Sequence, residues 1–373
     1  MTECRAFNFK AIAILTVSVM VLASFAAVFA DSSDADSSIT VTDGKGNEFT
    51  FDSVPDHIAT IGVGITVTAV QLGVLDKIVV ADNYSNKNTS DILKDFRQKV
   101  TDGKIAAHGN IYSSGLSDLK NDLVNAADTE KGGVFDKEKD VIFITGSDTY
   151  LKNIVPVLTD LGFKKILQWN SITEYSDIIS FVKTISLVTL GSEHKIVKQM
   201  SDLAGYITDK LGVREKAEAF YVTYSASVFK VGNTGSLANS MITAAGGSSV
   251  TTDSTKAGPT YETNLTQLME KHPNAIIFVD NSISSNESYM ENLKTQVGSN
   301  VTLVKLDSMW NNFSTESMNG VWTMACALYP DLFSGDVPYA DSDSQDNTAL
   351  YIGAGIVVVV IIIAAGVLFL RKH

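Results

Sequence analysis

Short β-branched runs alternating with helical patterns constrain this chain more than any other feature, and the alternation breaks only once. HIATIGV (57–63), KIVVADN (77–83), DVIFITG (140–146) and KKILQWN (164–170) read as strands, as do AFYVTYS (219–225), NAIIFVD (274–280) and VTLVKLD (301–307). Apolar runs of this length separated by helices predict parallel sheets buried on both faces, hence an α/β fold. Between residues 171 and 212 no strand pattern occurs. Ser171 and Glu174 have capping-box spacing, after which Ile178, Phe181, Val182 and Ile185 repeat at helical intervals. A second helix carries Ile196, Met200, Leu203, Ile207 and Leu211, and Gly212 supplies a stop. Two strand-rich halves around a helical stretch predict two lobes with mainly parallel sheets joined by a helical bridge. The expected boundaries are 39–172 for the first lobe, 173–212 for the bridge and 213–333 for the second lobe.

The two ends are of another kind. Residues 1–30 place Arg5 and Lys10 before an uncharged apolar run ending at Ala30, the order of a secretory signal with cleavage after Ala30. An uncleaved anchor helix is the alternative. Residues 334–348 are acidic and polar and read as a stalk. Residues 349–370 contain no charge and, as a helix, would reach about 33 Å, enough to cross a bilayer core. Arg371 and Lys372 follow at once, which orients the C-terminus to the cytoplasm. The expectation is a C-terminal transmembrane helix holding an ectodomain at the cell surface.

The formal charge is −13, and setting aside residues 1–30 (net +1) and Arg371 with Lys372 (net +2) leaves −16. Such a surface repels nucleic acid. Cys4 leaves with the signal, so Cys326 stands alone and forms no disulfide within the mature chain. Asn83, Asn88, Asn264, Asn286, Asn300 and Asn312 open N-x-S/T sequons, which permit glycosylation without establishing it. The histidines at 57, 108, 194, 272 and 373 form no i, i+4 pair, and neither a nucleophile elbow nor a Walker-type phosphate loop occurs. Gly62-x-Gly64 lacks the third glycine of a dinucleotide fingerprint. No catalytic or metal-ligating residue is assigned, and the chain is not expected to be an enzyme.

IATIGVGITVTAVQLGVLDKIVVADNYS (58–85) resembles the first strand–turn–helix–strand of class III ABC-transporter substrate-binding proteins, which carry iron-siderophore, haem or cobalamin. ITVTDGKGNEFTFDSVPDHI (39–58) is similar to the hairpin preceding that strand. FKVGNTGSLANSMITAAGGSSVTTD (229–253), LTQLMEKHPNAIIFVD (265–280) and MACALYPDLF (324–333) resemble later units in the same order. Lys139 stands where that family commonly has proline, and 119–139 is unusually long, so positions between 107 and 140 align loosely.

The resemblance implies a monomeric receptor that captures a metal chelate between its lobes and delivers it to an ABC permease and its ATPase. No covalently bound cofactor is implied. A tethered receptor suits a cell with one membrane, as in archaea. The alternative is a surface-anchored structural or adhesive protein using the same fold. Ligand contacts would come from loops at strand ends: Gly64 and Ile65 at the first turn, then Tyr84, Tyr112, Trp169, Phe229, Tyr261 and Trp310. These loops hold no arginine, which favours an aromatic-gripped corrinoid or other macrocycle such as haem over an anionic ferric siderophore. Permease docking carried over from the family falls on Asp118 and Glu262, since the matching second-lobe position is Thr266.

Overall fold

A computed structural model describes residues 38–338 apart from Ser171 and Ser299, and these residues belong to one compact unit. The expected signal, the transmembrane helix at 349–370 and all but the first residues of the stalk lie outside them. Among the described residues no helix is long and apolar enough to cross a membrane.

The chain opens with a hairpin of β1 (Ile39–Thr42) and β2 (Glu48–Phe51), paired antiparallel. β3 (Ile58–Ile61) follows, then α1 (Val63–Gln71), β4 (Ile78–Ala81), α2 (Asn83–Lys87), α3 (Lys94–Thr101) and α4 (Leu116–Ala126). β5 (Val141–Thr145), α5 (Asp148–Asp160) and β6 (Lys165–Trp169) close the first lobe. Its sheet has the order β4-β3-β5-β6 and is parallel throughout. Val141, Ile142, Phe143 and Ile144 are all fully buried, as expected of a strand covered by helices on both faces.

The bridge is α6 (Tyr175–Leu190) and α7 (Lys195–Leu211). Gly191 at φ 76° ends α6 in the left-handed region, where glycine alone carries no Cβ penalty. The capping box lies one turn later than the sequence suggested: Glu174 is the N-cap and Asp177 its reciprocal partner. Both carboxylates sit where the helix N-terminus favours negative charge. Lys77 Nζ donates to the carbonyls of Pro55 (3.0 Å) and Thr189 (3.1 Å), pinning α6 to the first lobe. Tyr175 N donates to Ser240 Oγ of the second lobe at 2.9 Å. One apolar core runs from Ile58 and Phe143 through Phe181, Ile185, Met200 and Ile207 to Met241, Phe278 and Met324. The bridge is therefore packed into both lobes.

The second lobe contains β7 (Glu218–Ser225), β8 (Val228–Gly232), α8 (Leu237–Ala244), β9 (Ser248–Ser249), β10 (Thr260–Tyr261) and α9 (Leu265–Lys271). β11 (Ile276–Val279), α10 (Asn281–Ser284), α11 (Glu287–Val297), β12 (Leu303–Lys305) and α12 (Ser317–Leu328) complete it. Its sheet order is β10-β8-β7-β11-β12, with β9 on β7. The pairs β7–β11, β11–β12 and β7–β9 are parallel, but β7–β8 and β8–β10 are antiparallel. The expectation of mainly parallel sheets thus holds in the four-stranded sheet of the first lobe, beside its antiparallel β1–β2 hairpin, and in part in the second lobe. The difference comes from a two-residue turn at Ala226 and Ser227, both at positive φ (54° and 67°). Those are the angles of a tight hairpin, reached here without the usual Asn-Gly.

Candidate functional site

A cavity of about 200 Å³ lies between the C-terminal ends of β3, β4 and β5 and a segment of the second lobe, Asn311 to Phe313. Each of those strands ends in a turn that exposes backbone and a side chain to the cavity. After β3 the chain reverses at Gly62 (φ 143°), whose carbonyl accepts from Thr66 N at 3.1 Å, opening α1. A side chain at Gly62 would meet Thr145 Oγ1 of β5 at 2.3 Å. At Gly64 a Cβ would lie 1.6 Å from the carbonyl oxygen of Asn312 and 2.7 Å from that of Phe313. Only a glycine admits the second lobe so close to the start of α1.

After β4, Asp82 caps α2: its Oδ1 accepts from Ser85 N (2.8 Å) and Ser85 Oγ (2.6 Å). The hydroxyls continue inward: Ser85 Oγ pairs with Thr66 Oγ1 (2.8 Å), and Thr66 Oγ1 donates to Thr60 Oγ1 (3.0 Å). Asp82 is 6% exposed and lines the cavity. Burial pushes its carboxyl above the usual range, against the opposing effect of the Ser85 bonds. The third wall is the 108–115 loop. It is braced by His108 Nδ1 on Asp122 Oδ1 (2.7 Å), Asn83 N to Gly109 O (2.7 Å) and Tyr112 N to Asn110 Oδ1 (2.8 Å). This bracing presents Tyr112 to the cavity, edge-on to Tyr84 (5.6 Å between ring centres) and to Tyr150 (4.7 Å). Burial, with Tyr84, Tyr150 and Asp82 nearby, raises the Tyr112 phenol.

Of the residues expected from sequence, Gly64, Tyr84 and Tyr112 line the cavity, and both tyrosines are well exposed (46% and 38%). Five others lie elsewhere. Ile65 is fully buried in the core. Trp169 is 6% exposed and packs edge-on against Phe181 of the bridge at 4.9 Å. Phe229 is a β8 residue buried against Tyr224 at 5.2 Å. Tyr261, in β10, is half-buried against the outer core of the second lobe. Trp310 is 2% exposed, packed on Tyr221 at 5.3 Å, with its indole nitrogen unpartnered. Burying a tryptophan removes a large apolar area from water, and here that outweighs exposing it at a strand end.

Asp82, Asn110, Thr145, Asn311, Asn312 and Phe313 were not foreseen. Asn311 to Phe313 directly follow Trp310, where successive turns rotate the chain and leave Phe313 at φ 49°. Such a conformation is costly for an aromatic residue and is held only by its surroundings. Cys326 is half-buried on the core, its thiol pushed up to about 11 by burial. Asp118 and Glu262 are exposed, one on each lobe. No group of three His, Cys, Asp or Glu side chains among the described residues is arranged to hold a metal ion.

Two α/β lobes, a packed helical bridge and a cavity at the ends of parallel strands define a two-lobed binding-protein fold. Solved structures share it. CeuE of Helicobacter pylori, in its nickel–histidine complex, aligns at TM-score 0.54 and 14% identity over 79% of this chain and 89% of its own. The periplasmic vitamin B12 binding protein BtuF of Vibrio cholerae aligns at 0.52 and 15% over 74% and 98%. A periplasmic haem-binding protein of Pseudomonas aeruginosa aligns at 0.52 and 14% over 76% and 96%. The fold is that of class III substrate-binding proteins. No protein-family model and no curated protein matches the chain.

Proposed function

We propose that this chain is an extracellular solute-binding receptor that captures a metal chelate between its lobes and passes it to an ABC permease. The observation that carries the reading is the cavity, placed where parallel strands of one lobe end and closed by Asn311 to Phe313 of the other. Proteins sharing the fold are described with nickel–histidine, vitamin B12 and haem. The volume of about 200 Å³ is smaller than the 300–1,000 Å³ usual for small-molecule sites. A corrinoid, haem or ferric siderophore therefore enters with the Asn312–Gly64 contact parted, and the doubly packed bridge keeps that movement modest. The tyrosine pair and Phe313 supply ring faces for a macrocycle, and the cavity lining carries no Lys or Arg to hold an anionic siderophore.

In this reading the 349–370 segment anchors the receptor at the surface of a one-membrane cell, and Asp118 and Glu262 meet the permease. Calorimetric titration of the purified protein with cobalamin, haem and ferric chelates tests the first part, and binding of none of them refutes it. Charge reversal at Asp118 together with Glu262 should reduce uptake and leave ligand affinity unchanged. Undiminished uptake refutes the docking assignment.

A further inference from the structure

Asp82 is the one charged residue in the lining of the cavity. Its Oδ1 is fully engaged by Ser85, while the described residues offer Oδ2 no hydrogen-bond partner. The carboxylate is nonetheless almost wholly removed from solvent. Structural N-cap carboxylates ordinarily sit at the surface with water on the free oxygen, and here the free oxygen belongs to a group at the edge of the cargo space. That oxygen keeps a little accessible surface at the cavity wall, so a cargo donor that reaches it makes a charge-assisted hydrogen bond in a largely shielded place. The other cavity walls do not supply that bond. Asn110 is engaged with Tyr112 N and Asn83, and none of the polar lining residues Tyr84, Tyr112, Thr145, Asn311 and Asn312 hydrogen-bonds Asp82. Around the same space stand the rings of Tyr84, Tyr112 and Phe313, whose faces attract cations.

Resting on the receptor reading above, we propose that Asp82 determines cargo class: the site selects chelates that present an ammonium or comparable cationic donor, and rejects strongly anionic ones. The cationic end of the cargo seats against Asp82 and the tyrosine pair, and the metal-bearing body lies toward Phe313. An anionic chelate meets an uncompensated carboxylate and a surface already strongly negative, with no lining cation to balance either.

The test uses the full-length protein and three ferric probes. They are a tris-hydroxamate with a free terminal amine, the same chelate N-acetylated, and an anionic tris-catecholate. The wild type is expected to bind the amine form about tenfold or more tightly than the acetylated form, as for a charge-assisted hydrogen bond in a shielded site, and to bind the tris-catecholate most weakly. Asp82→Asn keeps an oxygen for Ser85 and removes only the charge. It should abolish the amine preference, so that the variant binds the amine and acetylated forms about equally.

Retention of the preference by Asp82→Asn, or tightest binding of the tris-catecholate by the wild type, overturns the assignment of Asp82 and leaves the receptor reading standing. If none of the three probes, nor cobalamin or haem, binds the wild type, the receptor reading itself fails and this inference with it. Should the variant not fold, a wild type that binds the acetylated form as tightly as the amine form also overturns the assignment.

Discussion

Replacing Gly64 by alanine sets two opposing effects against each other, and the sign of the result reports whether the lobes meet in solution. Gly64 is the second residue of α1 and does not need a positive φ, so nothing in its own backbone forbids a side chain. In an isolated helix the exchange would stabilise by up to about 1 kcal/mol. In this protein the new Cβ would lie 1.6 Å from the Asn312 carbonyl oxygen, and contacts under 3.0 Å essentially never occur, so the two segments must part by about 1.4 Å. The obstacle is backbone and cannot rotate aside. It also belongs to the segment that holds Phe313 at positive φ.

Overpacking of this kind costs about 1–3 kcal/mol, and a rigid obstacle belongs at the upper end. Subtracting the helical gain leaves a destabilisation of about 2 kcal/mol, which at roughly 2–4 °C per kcal/mol lowers Tm by about 4–8 °C. Scanning calorimetry of the wild type and Gly64→Ala measures it. A Tm equal to or above that of the wild type would mean that Asn311 to Phe313 do not rest on α1 in solution. The cavity drawn between them would then be wrong.

Trp310→Ala is expected to cost about 3–5 kcal/mol of stability, as for a core aromatic, whereas Trp310→Phe costs far less because it also removes an unpartnered indole N–H; equal urea midpoints for the two would contradict a core role. Burial holds the Glu316 carboxyl above the usual range, against donors from Gln71 and Asn319. Its stabilising contribution is then complete below about pH 4.3, the unfolded value, and is lost as pH rises through the folded value. Glu316→Gln should gain on the wild type at pH 7, since its amide can donate to the unpartnered Gln71 Oε1 or Asn319 Oδ1, and the gain should shrink toward pH 4; urea unfolding at both values checks this. Ser227→Gly relieves a left-handed residue in the β7–β8 turn and should raise stability by about 1 kcal/mol, read as a higher Tm, with a lower one excluding strain there.

The strands were legible wherever they are buried on both faces, because continuous apolar runs such as Val141 to Ile144 leave no other reading. β8 was not, because its entry, Ser225-Ala226-Ser227-Val228, carries neither Gly nor Asn to announce a hairpin. Phe229 and Tyr261 consequently looked like loop residues and are strand residues. Gly64, Tyr84 and Tyr112 were readable because each directly follows a strand or a braced turn at the sheet's C-terminal edge. Asp82 was hidden by its second role, since an aspartate before a helix is fully accounted for as an N-cap. Whether its second oxygen then faces open water or the cavity depends on residues 311–313, more than two hundred positions away.

The tryptophans show the converse. Trp169 ends β6 and Trp310 lies in the turns after β12, near where ligand contacts belong, yet one seats the bridge against the first lobe and the other is buried in the core on Tyr221. A large aromatic ring at a strand end answers equally to a ligand and to the core, and local sequence cannot separate the two demands. What separates them is the backbone. Trp310 and Phe313 stand three residues apart in one series of turns, and the left-handed step at Phe313 sends the second ring to the cavity while the first stays in the core. Which aromatic of this segment reaches the cavity is therefore set less by the loop's composition than by the path of the backbone between residues 310 and 313.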